Sequence, residues 1–196
     1  MATLAILAGG ESRRMGKPKA ELRIAGVPIL SYLLDRFRWT GPTLLVTAPG
    51  RERPPGAKRF TREVTDPTSG EGPLRGVLTA LETATTDAVV FTTCDMPQLD
   101  ARQLEWLAAE LSKRADARLV MTTRDAQLEP FPLAIRSSAV GTLSDHFACG
   151  ARSIHSLAGL EGAVVMAAPD DWPGDAWTNL NTPEDFARFV AQPDVS

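Results

Sequence analysis

The chain has little of what metal centres, disulfide scaffolds and membrane spans are made from. Only two cysteines and two histidines stand among its 196 residues. Cys94 and Cys149 form no C-x-x-C pair, so no zinc ribbon is implied. Two thiols in a chain without a secretory leader are expected to be reduced. His146 and His155 are too isolated in the sequence to suggest a metal cluster. No apolar run is long enough to span a membrane. The short apolar run near the N-terminus has no basic region before it and leads straight into a glycine turn, unlike a signal peptide. The expected setting is the cytoplasm, without a membrane. A net charge of −3 argues against general nucleic-acid binding, which shows a basic face. The dinucleotide fingerprint G-x-G-x-x-G is missing. So is a P-loop: Gly10 and Gly16 have one residue too many between them, and Pro18 stands where a magnesium-binding hydroxyl should be. No Ser-His-Asp or Cys-His pattern offers a nucleophile, and no internal repeat is evident.

What is present is an alternation. Hydrophobic residues make up 43% of the chain, an ordinary globular share. Short apolar runs predict strands at 3–8, 43–48, 88–93, 118–123, 131–136 and 163–167. Helical patterns fall at 28–39, 73–84, 100–114, 137–148 and 182–191. Strands alternating with helices predict an α/β fold, a mostly parallel sheet with helices on both faces, as a single domain over 1–196. Ligands in such folds bind at the carboxyl ends of strands. Residues 49–72 and 169–178, rich in Pro, Gly and charge, read as long loops. The charge in "RERPPGAKR" reads as a solvated face.

Four stretches carry chemistry. In "LAILAGGESRRMGKPKAEL" (4–22), a buried strand runs into Gly9 and Gly10, where the backbone can turn sharply and come close to a ligand. Arg13, Arg14, Lys17 and Lys19 follow, and bare amides beside clustered cations suit a polyphosphate. In "VVFTTCDMP" an apolar strand ends on Asp95, before Pro97. A carboxylate there can hold Mg²⁺, a hard ion that bridges phosphates. It can equally begin a turn. In "NLNTPED" (179–185), Thr182, Pro183 and Asp185 form a capping box around a helix start. That leaves Asn179 and Asn181, which alternate with Leu180, free to point at a ligand. In "SGEGPLRGVLTAL", Gly70, Gly72 and Pro73 break a loop before a helix with an apolar stripe, and Gly76 lets that helix come close to a neighbour.

Together these stretches resemble the molybdenum cofactor guanylyltransferases, within the wider nucleotidyltransferase family. The opening loop matches their L-A-G-G-x-S-x-R-M-G-x-x-K pattern in full. "GPLRG", "CDMP" and "NLNTPED" resemble their later elements, in order. "LEPFPLAIR" and "CGARSIHSL" look like their acceptor-side segments. The resemblance covers nearly the whole chain. It implies a single Rossmann-like α/β domain that transfers GMP from Mg·GTP to molybdenum-bearing molybdopterin. Leu7, Ala8, Gly9 and Gly10 would cradle the nucleotide, with Arg14 and Lys19 beside the phosphates. Asp66 would contact the nucleotide, and Asp95 would bind both nucleotide and metal. Lys19, Arg14 and Asp95 would be the catalytic groups. Arg152, Asn179 and Asn181 would lie on the acceptor side. Proteins that deliver or receive the cofactor are the further partners implied. One departure stands out: no Asn follows the strand at 43–48, where the guanylyltransferases tend to carry a nucleotide-contacting one. A CTP-dependent enzyme of the same fold, or a non-catalytic nucleotide-binding module, are the alternatives.

Overall fold

The computed structural model describes residues 1–10, 12 and 14–192. Glu11 and Arg13 of the opening loop, the second of them among its expected cations, lie outside the described residues.

Strand β1 (Thr3–Leu7) is buried along its whole length. Such a strand needs apolar side chains on both faces, and "TLAIL" supplies them. Withdrawing Leu4 and Ile6 fully from water contributes about 1.5–3 kcal/mol each. A small hairpin of β2 (Arg23–Ile24) and β3 (Val27–Pro28) follows. Its turn residues Ala25 and Gly26 both take positive φ, as a tight hairpin requires. Then come α1 (Ile29–Phe37), β4 (Thr43–Thr47), β5 (Arg62–Thr65), α2 (Pro73–Thr83), β6 (Ala88–Thr93) and α3 (Ala101–Lys113). The chain closes with β7 (Leu119–Arg124), β8 (Gln127–Arg136), α4 (Val140–Ala148), β9 (Ala163–Ala167) and α5 (Pro183–Val190).

Seven strands form one sheet in the order β5-β4-β1-β6-β8-β7-β9. All run parallel except β8, which is antiparallel to both neighbours. Helices cover both faces: α1 packs on α3, and α2 on α4.

Besides the hairpin of β2 and β3, which the sequence pattern did not predict and whose Pro28 fell in the helix expected at 28–39, three elements depart from the sequence expectation. The long loop at 49–72 contains β5, which pairs in parallel with β4 at the sheet edge. Its "REVT" has one apolar residue, because an edge strand half in water needs no more. The strand expected at 131–136 begins at Gln127. Its polar first half pairs with β7 across a turn at Asp125 and Ala126, both at positive φ. The helix expected from 137 starts as a 3-10 turn, Ser137–Ala139, before α4 proper.

Two features of this frame place the site. β1 lies between β4 and β6, with Leu7 in register with Val46 on one side and Thr93 on the other. The chain leaves β1 toward β4 and later crosses to β6. The carboxyl ends of the three strands therefore open into one crevice.

Candidate active site

A cleft of about 700 Å³ opens at those carboxyl ends. Its floor is made as the strands stop. The Ala8 N–H still donates to the Val46 carbonyl at 2.8 Å, continuing the ladder one residue past β1. At Gly9 a Cβ would stand 3.1 Å from the Ala48 nitrogen, so a side chain there would press on the end of β4. Beyond it Ser12 ties the loop together. Its hydroxyl donates to the Gly10 carbonyl (3.4 Å) and accepts from the Lys19 N–H (3.1 Å). Lys19 opens a 3-10 turn whose Ala20 is buried, followed by buried Leu22. The backbone under Lys19 is thus anchored in the core while its side chain reaches into the cleft.

Across the floor, the Cys94 N–H donates to the Leu7 carbonyl at 3.1 Å and carries Asp95 past the end of β6. The Asp95 Oδ2 accepts from Lys19 Nζ at 2.6 Å, and Oδ1 accepts from the Thr93 hydroxyl. Lys19 Nζ also donates to Asn181 Oδ1 at 2.7 Å. Both side chains of the ion pair are only 16% exposed, so water screens it less than a surface pair. Residues 19, 95 and 181, remote in sequence, meet within one hydrogen-bonded cluster.

Asp66 follows β5, and its N–H donates to the Thr47 carbonyl at 2.9 Å. Its Oδ1 is buried and finds no hydrogen-bond partner among the described residues. Burial pushes the carboxyl above the usual carboxylate range, against the Thr79 hydroxyl and the Arg75 guanidinium, which pull it down. Gly76 lies beside it, where a Cβ would make ordinary contact with Asp66 Oδ2 at 3.6 Å. Arg14 lines the cleft and is exposed.

The residues expected on the acceptor side are placed differently from one another. Asn181 lines the cleft. Asn179 is exposed, lies outside the lining, and donates to the Trp177 carbonyl at 3.1 Å. The Arg152 guanidinium donates to the carbonyls of Phe147 and Ala151, each at 2.7 Å, and stacks 3.9 Å from the Phe147 ring centroid. It closes the carboxyl end of α4, where a cation is favoured. Its main chain reaches the cleft rim instead. The Arg152 carbonyl accepts from the Leu74 N–H at 3.3 Å. Gly72, at φ +79, has no room for a Cβ, which would fall 2.8 Å from that carbonyl oxygen.

Sequence reasoning gave no role to Ser12, Thr93 or Arg75, all of which line the cleft. Ser12 stood inside the matched motif, and Thr93 is two residues before Asp95, on the same side of an extended chain. Nothing in the sequence marked Arg75. No Asn stands after β4, where Ala48 lines the cleft and Pro49 and Gly50 follow.

Among the described residues no group of three or more His, Cys, Asp and Glu side chains could hold a metal. A Mg²⁺ ion fits Asp95 none the less, since Mg²⁺ is commonly held by one or two carboxylates with substrate phosphates and waters completing its shell. Both cysteines are free thiols. Burial pushes the Cys94 thiol well above the ordinary thiol range, so it is no nucleophile beside Asp95.

Comparison with known proteins accords with this geometry. The family model described as "MobA-like NTP transferase domain" matches residues 4–166. A molybdenum cofactor guanylyltransferase of Rhodobacter capsulatus is 35% identical over 190 residues, covering 93% of this chain and 92% of that protein. One from Serratia proteamaculans is 31% identical over 187 residues, covering 94% and 91%. The crystal structure of molybdopterin-guanine dinucleotide biosynthesis protein A from Archaeoglobus fulgidus superposes with a TM-score of 0.77 at 24% identity, covering 95% of each chain. That last likeness is one of fold.

Proposed function

Because the chain belongs to the MobA-like NTP transferase family, we propose that it transfers GMP from Mg·GTP to molybdenum-bearing molybdopterin, releasing pyrophosphate. The observation that carries this reading is the meeting of a glycine turn, Lys19 and Asp95 at the carboxyl ends of three parallel strands. Relatives named as guanylyltransferases along nearly their whole length favour GTP over CTP and an enzyme over a binding module.

The reaction needs no covalent enzyme intermediate. A terminal phosphate oxygen of the pterin, already anionic, forms a bond to the α-phosphorus. The bond from that phosphorus to the bridging oxygen breaks, and pyrophosphate leaves with the electron pair. The obstacle is electrostatic, since two anions must meet while charge spreads over the transferring group. Positioning and charge neutralisation therefore dominate.

The chain's residues divide that work. The backbone at Leu7, Ala8, Gly9 and Gly10 cradles the nucleotide, and Arg14 steadies the leaving pyrophosphate. Lys19 places its ammonium at the α-phosphate. Asp66 offers its unpartnered oxygen to a donor on the nucleoside. Asp95 would hold Mg²⁺, which when bound supplies further positive charge at the phosphate oxygens. The segments holding Arg152, Asn179 and Asn181 bound the acceptor side. The chain would work in the cytoplasm as one nucleotidyltransferase domain, with proteins that deliver or receive the cofactor as further partners.

Incubation with molybdenum-bearing molybdopterin, Mg²⁺ and either GTP or CTP, followed by mass analysis of the pterin, tests this. Addition of GMP with release of pyrophosphate is expected. Addition of CMP alone, or no pyrophosphate with either nucleotide, would overturn it.

A further inference from the structure

We infer that Asn181 is a positioning residue for Lys19: its side-chain oxygen aims the lysine ammonium at the nucleotide. The inference rests on the guanylyl-transfer reading above and gives Asn181 a task other than contact with the acceptor.

An ammonium has three N–H donors and no acceptor. Lys19 places one on Asp95 Oδ2 at 2.6 Å and one on Asn181 Oδ1 at 2.7 Å. Among the described residues nothing else accepts from the ammonium, which leaves one donor for a phosphate oxygen, its direction set by the other two. The amide orientation follows as well, since only its oxygen can face a donor-only group.

The mount is rigid. Leu180, just before Asn181, is fully buried, and its N–H donates to the Asp95 carbonyl at 2.9 Å. The Asn181 N–H donates to Asp185 Oδ2 at 3.1 Å, beside the capping box that starts α5. The side chain is not used in that cap. It is held at its base from two sides and spends its oxygen on Lys19.

Charge explains why an amide suits this place. Lys19 is a long side chain that loses much rotamer freedom when fixed, and one contact would leave it to pivot. A second carboxylate would fix it but would add negative charge to a cleft that must accept a polyphosphate. A neutral amide oxygen supplies the second contact without that charge.

The test is a double-mutant cycle read in two ways. Calorimetry with Mg·GTP and no acceptor is the first. Asn181→Ala should weaken binding several-fold in the natural chain and leave it unchanged in the Lys19→Ala background. Turnover at saturating acceptor is the second. Asn181→Ala should lower it about tenfold, the size of one hydrogen bond to a charged group, but less than about twofold when Lys19 is already alanine. The KM for the molybdenum-bearing pterin should not move. If Asn181→Ala does not fold, Asn181→Leu, of similar volume, carries the same cycle. Unchanged GTP affinity with a raised pterin KM, or effects that add in both backgrounds, would overturn the inference. A natural chain that transfers nothing from GTP would instead overturn the guanylyl-transfer reading.

Discussion

Two ion pairs of similar chemistry do different things in this molecule. On the surface, Arg59 grips Asp35 with two hydrogen bonds of 2.6 and 2.8 Å. In the cleft, Lys19 meets Asp95 at 2.6 Å. The surface pair is 45% and 62% exposed, the cleft pair 16% on each side. By hydrogen-bond geometry alone the surface pair looks the stronger, because a guanidinium fork fits a carboxylate. Its surroundings reverse that order. Water and salt screen the surface pair, whereas the cleft pair stands on backbone anchored by β1, β6 and residues 179–181. Mounting and shielding, more than contact length, separate the cleft pair from the surface pair.

Substituting each pair would sharpen the contrast. The largest effect is expected at Lys19. Lys19→Ala should lower the rate of GMP transfer by about 10²–10³-fold, the scale for losing one preorganised donor at developing charge. The fold should stay intact, with a modest fall in melting temperature because Asp95 loses its partner at a shielded site. Near-normal turnover would mean that the cleft pair too is only decoration.

Asp95→Asn keeps the shape and removes the anion. A comparable loss of rate is expected, together with loss of most of the response of Mg·GTP affinity to Mg²⁺. Titrating GTP by calorimetry at several Mg²⁺ concentrations would read this. An unaltered Mg²⁺ response would place the metal elsewhere.

Asp66 offers an intermediate case, a carboxyl in the cleft with an unpartnered oxygen. Burial raises its folded pKa above the unfolded value, so its charged form opposes folding. The penalty is present above the folded pKa and disappears as pH falls through it toward the unfolded value. Asp66→Asn should therefore raise the melting temperature at pH 7, with the gain shrinking as the pH is lowered. The same variant should bind GTP more weakly. A gain that grows on acidification would contradict the assigned cause.

The smallest effect is expected at the surface pair. Arg59→Ala should cost less than about 1 kcal/mol, and less still in high salt. The Arg59 hydrogen bonds hold the Asp35 carboxyl below its ordinary range. The pair's contribution is thus present above the unfolded-state pKa and lost as pH falls through the folded one. Denaturant titrations of both chains at neutral and acid pH would check the sign.

The cleft members were more legible in the sequence than their arrangement. Asp95 ends an apolar strand, a position a turn explains equally well, and Lys19 stands out only through the cation-rich motif that closes on it. β1 and β6 were legible as short, mostly apolar runs with threonine as their only polar residue. β5 was not, because an edge strand can be written almost wholly in polar residues. Nor was the start of β8, whose polar half before Phe131 is fixed by pairing with β7. Arg152 shows the limit from another side. A segment match can bring the residue to the cleft rim, but only tertiary packing decides that its guanidinium turns to the end of α4. The contact of Asn181 with Lys19 spans 162 residues, a distance over which no local pattern speaks.

That span has a consequence in time. A ribosome delivers the chain from its N-terminus, and folding begins before synthesis ends. The glycine turn, Lys19 and Asp95 are all made well before residues 180 and 181. The Leu180 N–H that anchors Asp95 and the Asn181 oxygen that steers Lys19 arrive only after every strand of the sheet has been made. A nascent chain can therefore build its sheet and open its cleft long before its lysine is aimed. The finished geometry is reserved for chains translated past residue 181, so a product cut short before residue 179 should resemble the enzyme in shape and lack its aim.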